Sequence, residues 1–222
     1  MGGLPYLIVL RFWGYKYSML TLTENQMFVN SCYTSYLTGV DHSAIIGAIE
    51  QIQATKPSNQ FSNAGGYQSL SMYFPNFDNQ ETDNLFNNHI IPMSNHIIDE
   101  MWNLPTGERQ MNYWYNVNGK YTYNREHTHP SAFLSGVYYI KVPKDSGLIH
   151  FLRSPSEIDR MEFMTKFIRG KDFNNNRINT EHWFIPKEGM LILFPGHLTH
   201  FVERNLTDEK DDRRISLSFN FF

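Results

Sequence analysis

The feature that most constrains the fold is a series of short strand-like segments that begins near residue 110 and continues to the C-terminus. The segments are aromatic or β-branched, and Gly, Pro, Asn and Asp separate them, which is typical of antiparallel β structure. Strands are predicted at 111–118, 133–142, 147–152, 182–185, 189–194, 199–204 and 214–222. The polar and charged residues 155–180 are predicted to be an insertion or a long loop. This half of the chain is therefore expected to form a β-sandwich or jelly roll.

The N-terminal half has a different hydrophobic pattern, which predicts two helical regions. Residues 43–54 begin with a capping serine and have apolar positions at helical spacing, and residues 84–102 form a second such stretch. Pro92 is expected at a helix start or a break, and residues 59–70, rich in Asn, Ser and Gly, indicate a loop. The predicted fold class is mainly β with N-terminal helices (α+β), the helices covering one face of the sandwich.

The length of 222 residues suits one domain with an N-terminal extension. We expect residues 110–222 to form the β core that carries any functional site, and residues 19–109 to be a helical and loop support region of the same domain. Residues 1–18 are expected to lie outside the domain and to contribute little to its core. Their apolar run at 4–10 is too short to span a bilayer, and it lacks the flanks of a signal peptide.

Charge and cysteine content limit the partners and the compartment. The formal net charge is −3 and the Lys and Arg residues are scattered, so a nucleic-acid partner is not expected. The one cysteine, Cys32, rules out an internal disulfide and fits a reducing compartment. A cytoplasmic protein without a membrane partner, acting on a small molecule or a peptide, is the expectation.

Three histidines have a spacing that is typical of a metal site. His127 and His129 lie in the segment REHTHP, and side chains at i and i+2 of an extended chain share one face. His200 follows the strand GMLILF and a Pro-Gly turn, so it can approach the first two from a returning strand. Three ligands on one side of an ion leave positions open for O2 and a cosubstrate, as an oxygen-activating iron requires.

This histidine pattern leaves alternatives open. An HxH pair alone also occurs as a structural surface pair. The usual oxygenase site has two histidines and a carboxylate, and here His129 stands where the carboxylate of an HxD motif would be. The site is therefore either a three-histidine site or a two-histidine site in which His129 is not a ligand. His197, three residues before His200, is the competing candidate ligand.

A second group of residues is suited to binding a carboxylate. Arg214 and Ser216 are at i and i+2 of the last predicted strand, so they share a face. A guanidinium fits a carboxylate bidentately and a hydroxyl adds a donor, so this pair can hold the distal end of a dicarboxylate. Tyr139 could donate to the same carboxylate, and one hairpin could place Arg214 beside His200. Without that context, a surface salt bridge would be the simpler role for Arg214.

Several motifs in order resemble those of a known superfamily. The chain is similar to 2-oxoglutarate- and iron(II)-dependent oxygenases, and specifically to a small family common in marine phages and bacteria. The resemblance runs from about Met27 to the C-terminus. The matching segments are SNAGGYQS (62–69), WYNVNGKY (114–121), HTHPSAFLSGVYYIKVP (127–143), SGLIHF (146–151), IPKEGMLILFPGHLTHFVERN (185–205) and RRISLSFNF (213–221).

The resemblance implies a fold, cofactors and residue roles. It implies a double-stranded β-helix (a jelly roll, cupin-like), with iron(II) and 2-oxoglutarate as cofactors. His127, His129 and His200 match the metal-binding positions, and Arg214 and Ser216 match the RxS cosubstrate motif. Tyr139 looks like the second tyrosine of the pair that binds 2-oxoglutarate in prolyl hydroxylases.

The function implied by the resemblance is a dioxygenase that hydroxylates an unidentified substrate. The likeness at Tyr139 suggests a prolyl residue of a protein, and a phage-encoded enzyme would act in the host cytoplasm. One alternative is a three-histidine cupin-like dioxygenase without 2-oxoglutarate, against which Arg214 and Ser216 argue, since it needs no dicarboxylate clamp. Another is a metal-free β-sandwich binding module, which gives no reason to gather three histidines and an arginine.

Overall fold

The structure is a computed structural model, and it describes the backbone of residues 5–9 and 19–23 and the whole of residues 30–59, 61–103, 109–153, 181–208 and 212–222. The chain divides into two compact units, Met1–Ser31 and Cys32–Phe222. In the first unit, β1 (Pro5–Val9) pairs antiparallel with β2 (Met19–Thr23). The predicted insertion at 155–180 lies outside the described residues, and the peripheral role of residues 1–18 stays a prediction.

The second unit contains the remaining strands and all the described helices. The helices are α1 (His42–Thr55), α2 (Gln80–Leu85) and α3 (Ile91–His96), with π-helical turns at Phe86–Ile90 and Ile97–Met101 that make residues 80–101 one helical stretch. The strands are β3 (Tyr33–Tyr36), β4 (Asn63–Ala64), β5 (Tyr67–Gln68), β6 (Met72–Tyr73), β7 (Met111–Asn118), β8 (Tyr123–His127), β9 (Leu134–Lys141), β10 (Ile149–Leu152), β11 (Glu181–Phe184), β12 (Met190–Pro195), β13 (His200–Val202) and β14 (Arg214–Phe221).

These strands form two antiparallel sheets that face each other. The larger sheet has the order β3-β12-β9-β14-β7-β5, with β6 also paired to β7, and the smaller has the order β11-β10-β13-β8-β4. The predicted double-stranded β-helix with N-terminal helices is confirmed. No helix among the described residues is long and apolar enough to cross a membrane.

Apolar and polar side chains alternate strictly along β14, and along β7 they do so with the exception of Trp114. On β14, Ile215, Leu217 and Phe219 belong to the core cluster that also contains Ile45 and Ile49 of α1. Their sequence neighbours Arg214, Ser216 and Ser218 line a cavity on the opposite face. Because a strand has a side-chain period of two, one face is held in place by the helices while the other faces the smaller sheet. The interior between the sheets is thus polar along these strands.

Most predicted elements match the structure, and the differences have local causes. β8 was not among the predicted strands, because its polar sequence YNREH has no apolar alternation. Four short strands before residue 74, β3 to β6, also join the sheets. The expected hairpin that places Arg214 beside His200 is wrong: β13 and β14 belong to different sheets, so the two residues approach from opposite walls.

Candidate metal centre

Three histidine rings converge between the two sheets. His127 is the last residue of β8 and lies opposite His200, the first residue of β13, in the register of the two strands. The ring centroids are 4.3 Å apart for His127 and His200, 5.2 Å for His127 and His129, and 5.0 Å for His129 and His200. One potential ligand atom from each residue lies within 4.8 Å of the other two, so a single ion can be reached from all three.

His129 does not share a strand with His127, contrary to the expectation from the sequence. β8 ends at His127, and Pro130 follows His129 in the turn beyond it. The backbone N–H of His129 donates to the carbonyl of Gly196 at 2.8 Å, which fixes this turn against the segment that precedes β13. The two rings nevertheless stack with an interplanar angle of 25°.

Hydrogen bonds at Nδ1 determine the tautomer of His127 and His200. Nδ1 of His127 lies 2.7 Å from the carbonyl oxygen of Arg125, and Nδ1 of His200 lies 2.9 Å from that of Leu198. A carbonyl can only accept, so each Nδ1 carries the hydrogen and each Nε2 carries a lone pair. This is the arrangement that holds an imidazole ready to bind a metal through Nε2.

His129 has the same tautomer, but the acceptor of its Nδ1–H is a side chain. Its Nδ1 makes a short hydrogen bond to Oδ1 of Asn220, on β14. The hydroxyl of Ser135, on β9, donates to the same Oδ1 at 2.8 Å. The Trp114 ring lies 5.5 Å from the ring of His129, and the Phe194 ring lies 4.8 Å from that of His200, so aromatic side chains pack against two of the three histidines.

Burial keeps the three imidazoles neutral. Removal from solvent lowers the pKa of His127 and of His200, the latter well below its usual range, and lowers the pKa of His129 to about 4. The neighbouring rings add to the lowering for His129 and His200. A neutral imidazole has the free electron pair that a metal needs, so protons compete weakly with a metal here at neutral pH.

The cluster consists of nitrogen ligands only. Within the described ranges it is the one group of three or more His, Cys, Asp or Glu side chains placed to hold an ion, and it includes neither a carboxylate nor His197.

Arg214 is a buried cation in the cavity that His127 and His200 also line. Its side chain is 1% exposed, and its Nη1 donates to the carbonyl oxygens of Ser146, in a short bond, and Glu203, at 3.3 Å. Its Nη2 is buried without a hydrogen-bond partner. Burial lowers the pKa of Arg214 to about 10, which leaves it charged at neutral pH. A buried charged donor without a partner is costly, so this geometry favours an anionic ligand.

Tyr139 presents a second unused donor in the same cavity. It lies on β9 directly across from Ser216 on β14, and its hydroxyl is buried without a hydrogen-bond partner. Burial raises the pKa of Tyr139 to about 12, so the hydroxyl keeps its proton. Arg214, Ser216 and Tyr139 therefore form a group of donors suited to one carboxylate.

Sequence reasoning missed the amide side chains of the cavity wall. Asn116, on β7, donates through Nδ2 to Oγ of Ser218 at 3.2 Å, and its Oδ1 accepts from Nδ2 of Asn124 at 3.4 Å. Both asparagines line the cavity. The signal was the alternation of polar residues in MNYWYNVN, which places Asn112, Asn116 and Asn118 on one face.

Comparisons with known proteins agree with this site. Residues 112–220 match the family described as "Putative 2OG-Fe(II) oxygenase", a range that contains the three histidines, Tyr139, Arg214 and Ser216. No curated protein matches the chain.

Solved structures resemble this chain at low sequence identity. A prolyl-4-hydroxylase from Pseudomonas putida has 13% identity and a TM-score of 0.58, covering 86% of this chain and 92% of its own. A Trichoplax adhaerens prolyl hydroxylase, in complex with a hypoxia inducible factor peptide, has 13% identity and a TM-score of 0.58, covering 87% and 83%. The carbocyclase SnoK from nogalamycin biosynthesis has 9% identity and a TM-score of 0.57, covering 86% and 79%. At these identities the likeness shows the fold alone.

A jelly roll that holds a cluster of nitrogen ligands and a buried cation between its sheets can bind an oxygen-activating iron together with an anionic cosubstrate. The chain matches the 2-oxoglutarate- and iron(II)-dependent oxygenase superfamily over residues 112–220, which confirms the family predicted from its motifs. It is an oxidoreductase whose cofactors are iron(II) and 2-oxoglutarate, which confirms the prediction made from the sequence motifs.

Proposed function

We propose that this enzyme hydroxylates a C–H group of its substrate, holding iron through His127, His129 and His200 and the distal carboxylate of 2-oxoglutarate through Arg214, Tyr139 and Ser216. The observation that carries the proposal is the cavity that joins both groups. The unpartnered Nη2 of Arg214 and hydroxyl of Tyr139 are donors without an acceptor, and they lie in the cavity that the neutral imidazoles of His127 and His200 also line.

The residues fit the metal that the superfamily uses. Imidazole nitrogens suit iron, and three of them on one side of the ion leave coordination positions for the cosubstrate and O2. When bound, iron and 2-oxoglutarate supply the oxidising chemistry, in which 2-oxoglutarate and O2 give succinate and CO2 and the substrate gains a hydroxyl group.

The protein contributes orientation and a shielded environment. The Arg214 guanidinium offers two N–H directions, of which Nη1 is held by backbone carbonyls and Nη2 is free for a carboxylate. Tyr139 donates from the neighbouring strand, so the carboxylate is fixed in direction as well as neutralised. Phe151, Phe194 and Trp114 pack against His129 and His200 and keep bulk water from these two imidazoles.

A prolyl residue of a protein is the substrate class that we propose. The motivation is the likeness of Tyr139 to the 2-oxoglutarate-binding tyrosine of prolyl hydroxylases. Two of the structurally similar proteins are a prolyl-4-hydroxylase and a prolyl hydroxylase with a bound peptide, which supports the proposal only through the shared fold. The cavity wall of Asn116, Asn124 and Ser218 offers uncharged hydrogen-bonding groups, as a peptide backbone would require.

The nitrogen-only ligand set favours one competing function, a three-histidine dioxygenase that uses no 2-oxoglutarate. Anaerobic titration of 2-oxoglutarate into the iron(II)-loaded protein separates the two. Our proposal expects a saturable visible charge-transfer band, whereas a protein that binds iron(II) without developing this band is the competing dioxygenase.

Turnover then tests the substrate class. The iron(II)-loaded enzyme is given 2-oxoglutarate, O2 and a panel of peptides that differ only in having proline or alanine at one position. Succinate formation and addition of one oxygen to the proline peptides are expected. Equal succinate formation with the alanine peptides would contradict the prolyl assignment and leave the cofactor assignment standing.

A further inference from the structure

We propose that Asn220 is a positioning residue of the metal centre: its carboxamide sets the tautomer and direction of the His129 ring, so that an imidazole serves where relatives carry a carboxylate. This inference rests on the proposed metal-binding role of the three histidines. Asn220 lies 91 positions from His129 in the chain, and the short Oδ1–Nδ1 bond joins them.

His129 needs such a partner more than the other two histidines do. His127 and His200 lie on strands, and each donates its Nδ1–H to a backbone carbonyl two residues away. His129 lies beyond the end of β8, where no strand pairing defines the direction of its side chain. The ring is held from the opposite sheet instead, through a side chain of β14.

Asn220 is itself fixed by its neighbours. On β14 it is the cross-strand partner of Ser135 on β9 and of Asn112 on β7. The Ser135 hydroxyl, which is fully buried, donates to Oδ1 of Asn220. This orientation directs the amide oxygen to His129, so the ring must donate from Nδ1 and present the Nε2 lone pair. An amide nitrogen in that place would favour the opposite tautomer and remove the ligand.

The amide is also uncharged, and this decides the electrostatics of the site. A carboxylate bound to Nδ1–H would make the imidazole a stronger electron donor. Asn220 gives the hydrogen bond without the charge, so the ligand set stays neutral and a divalent ion keeps its full charge towards an anionic cosubstrate. Asn220 therefore balances metal affinity against affinity for 2-oxoglutarate.

Cobalt(II) binding to the metal-free protein tests the inference without turnover. Asn220→Leu removes the acceptor at similar volume, and we expect its cobalt(II) dissociation constant to rise about 10–100-fold. Asn220→Asp keeps the acceptor and adds charge, and we expect tighter cobalt(II) binding with a shifted visible d–d spectrum. The matched control is Asn112→Leu, on the adjacent strand, whose Oδ1 has no hydrogen-bond partner; it should bind cobalt(II) like the parent.

The outcomes separate this inference from the proposed function. A parent protein that binds no cobalt(II) at all would contradict the metal site itself. Parent-like affinity in Asn220→Leu, or parent-like affinity and spectrum in Asn220→Asp, would overturn the role of Asn220 alone. Should Asn220→Leu fail to fold by circular dichroism, the Asn220→Asp spectrum and affinity decide the question, because a residue that only fills space would change neither.

Discussion

Arg214 is the residue whose chemistry is easiest to isolate, because its sequence neighbour is also an arginine. In Arg214→Lys the charge remains, but one ammonium cannot replace both Nη1, which backbone carbonyls hold, and Nη2. Losing one charge-assisted hydrogen bond of roughly 1.5–3 kcal/mol should raise the 2-oxoglutarate dissociation constant about tenfold or more. Iron(II) affinity should stay the same. Anaerobic titration measures both constants.

Arg213→Lys is the control for this change. Arg213 forms an ion pair with Glu50, and both side chains are partly exposed, so its replacement should leave both constants unchanged. An Arg214→Lys protein that binds 2-oxoglutarate as tightly as the parent would show that the clamp assignment is wrong.

Tyr138 and Tyr139 are adjacent residues on β9 with opposite surroundings. The Tyr138 hydroxyl is 2.7 Å from Nε2 of His42, whereas the Tyr139 hydroxyl has no partner. We expect Tyr138→Phe to lower the free energy of unfolding by about 1 kcal/mol without changing 2-oxoglutarate binding. Tyr139→Phe should weaken 2-oxoglutarate binding several-fold, by about 1 kcal/mol, and leave the unfolding free energy of the ligand-free protein unchanged or higher.

Urea denaturation and anaerobic titration of both variants check this pair. We expect Tyr138→Phe to change only the free energy of unfolding, and Tyr139→Phe to change mainly the affinity for 2-oxoglutarate. If Tyr139→Phe lost stability and kept its affinity for 2-oxoglutarate, the hydroxyl would be a structural group.

At the scale of elements, a glycine on β9 makes room for an aromatic ring of the paired strand β14. Gly136 on β9 is the cross-strand partner of Phe219 on β14, and a Cβ at Gly136 would lie 2.3 Å from Cζ of Phe219 and 2.9 Å from Cδ2 of Leu193. Gly136→Ala should therefore lower the free energy of unfolding by about 1–3 kcal/mol through overpacking. Thermal melting of the metal-free protein is the measurement.

Gly47, in the interior of α1, is the matched control. A Cβ there would meet nothing within 4 Å. Gly47→Ala should raise the free energy of unfolding by about 0.5–1 kcal/mol, because alanine loses less backbone freedom in a helix. A Gly136→Ala protein as stable as Gly47→Ala would mean that the Phe219 and Leu193 side chains move aside without cost.

At the scale of the whole molecule, ligand binding should be measurable as stability. A ligand at about a hundred times its dissociation constant stabilises the folded state by about 2.7 kcal/mol, which corresponds to a rise of roughly 5–10 °C in Tm for a chain of this size. Iron(II) or cobalt(II) should produce such a rise, and 2-oxoglutarate should add a further one under anaerobic conditions. A chelator should reverse both.

Variants of the metal site and of the carboxylate-binding group should separate the rise in Tm caused by the metal from the rise caused by 2-oxoglutarate. His200→Ala should show neither rise in Tm, because in our proposal 2-oxoglutarate binds partly through the metal. Arg214→Lys should keep the rise in Tm caused by the metal and lose most of the rise caused by 2-oxoglutarate. A full 2-oxoglutarate increment in His200→Ala would show that the cosubstrate binds without the metal.

The sequence by itself determined the faces of the strands and the chemistry available on them. A strand has a period of two, so the alternation in RISLSFNF placed Arg214 and Ser216 on one face before any pairing was known, and the alternation in MNYWYNVN carried the same signal for its asparagines. The residue types at 127, 129, 200 and 214 likewise limited the chemistry to a metal and an anion.

Only the tertiary structure decided which of these residues meet. His127 and His200 are neighbours because β8 pairs with β13, and β8 is a polar strand that has no local apolar pattern. Arg214 faces the cavity from the other sheet, and Asn220 reaches His129 from the same strand as Arg214. Local periodicity specifies a face, whereas these contacts depend on the pairing of segments that are distant in the chain, and that pairing is set by the packing of the whole sandwich.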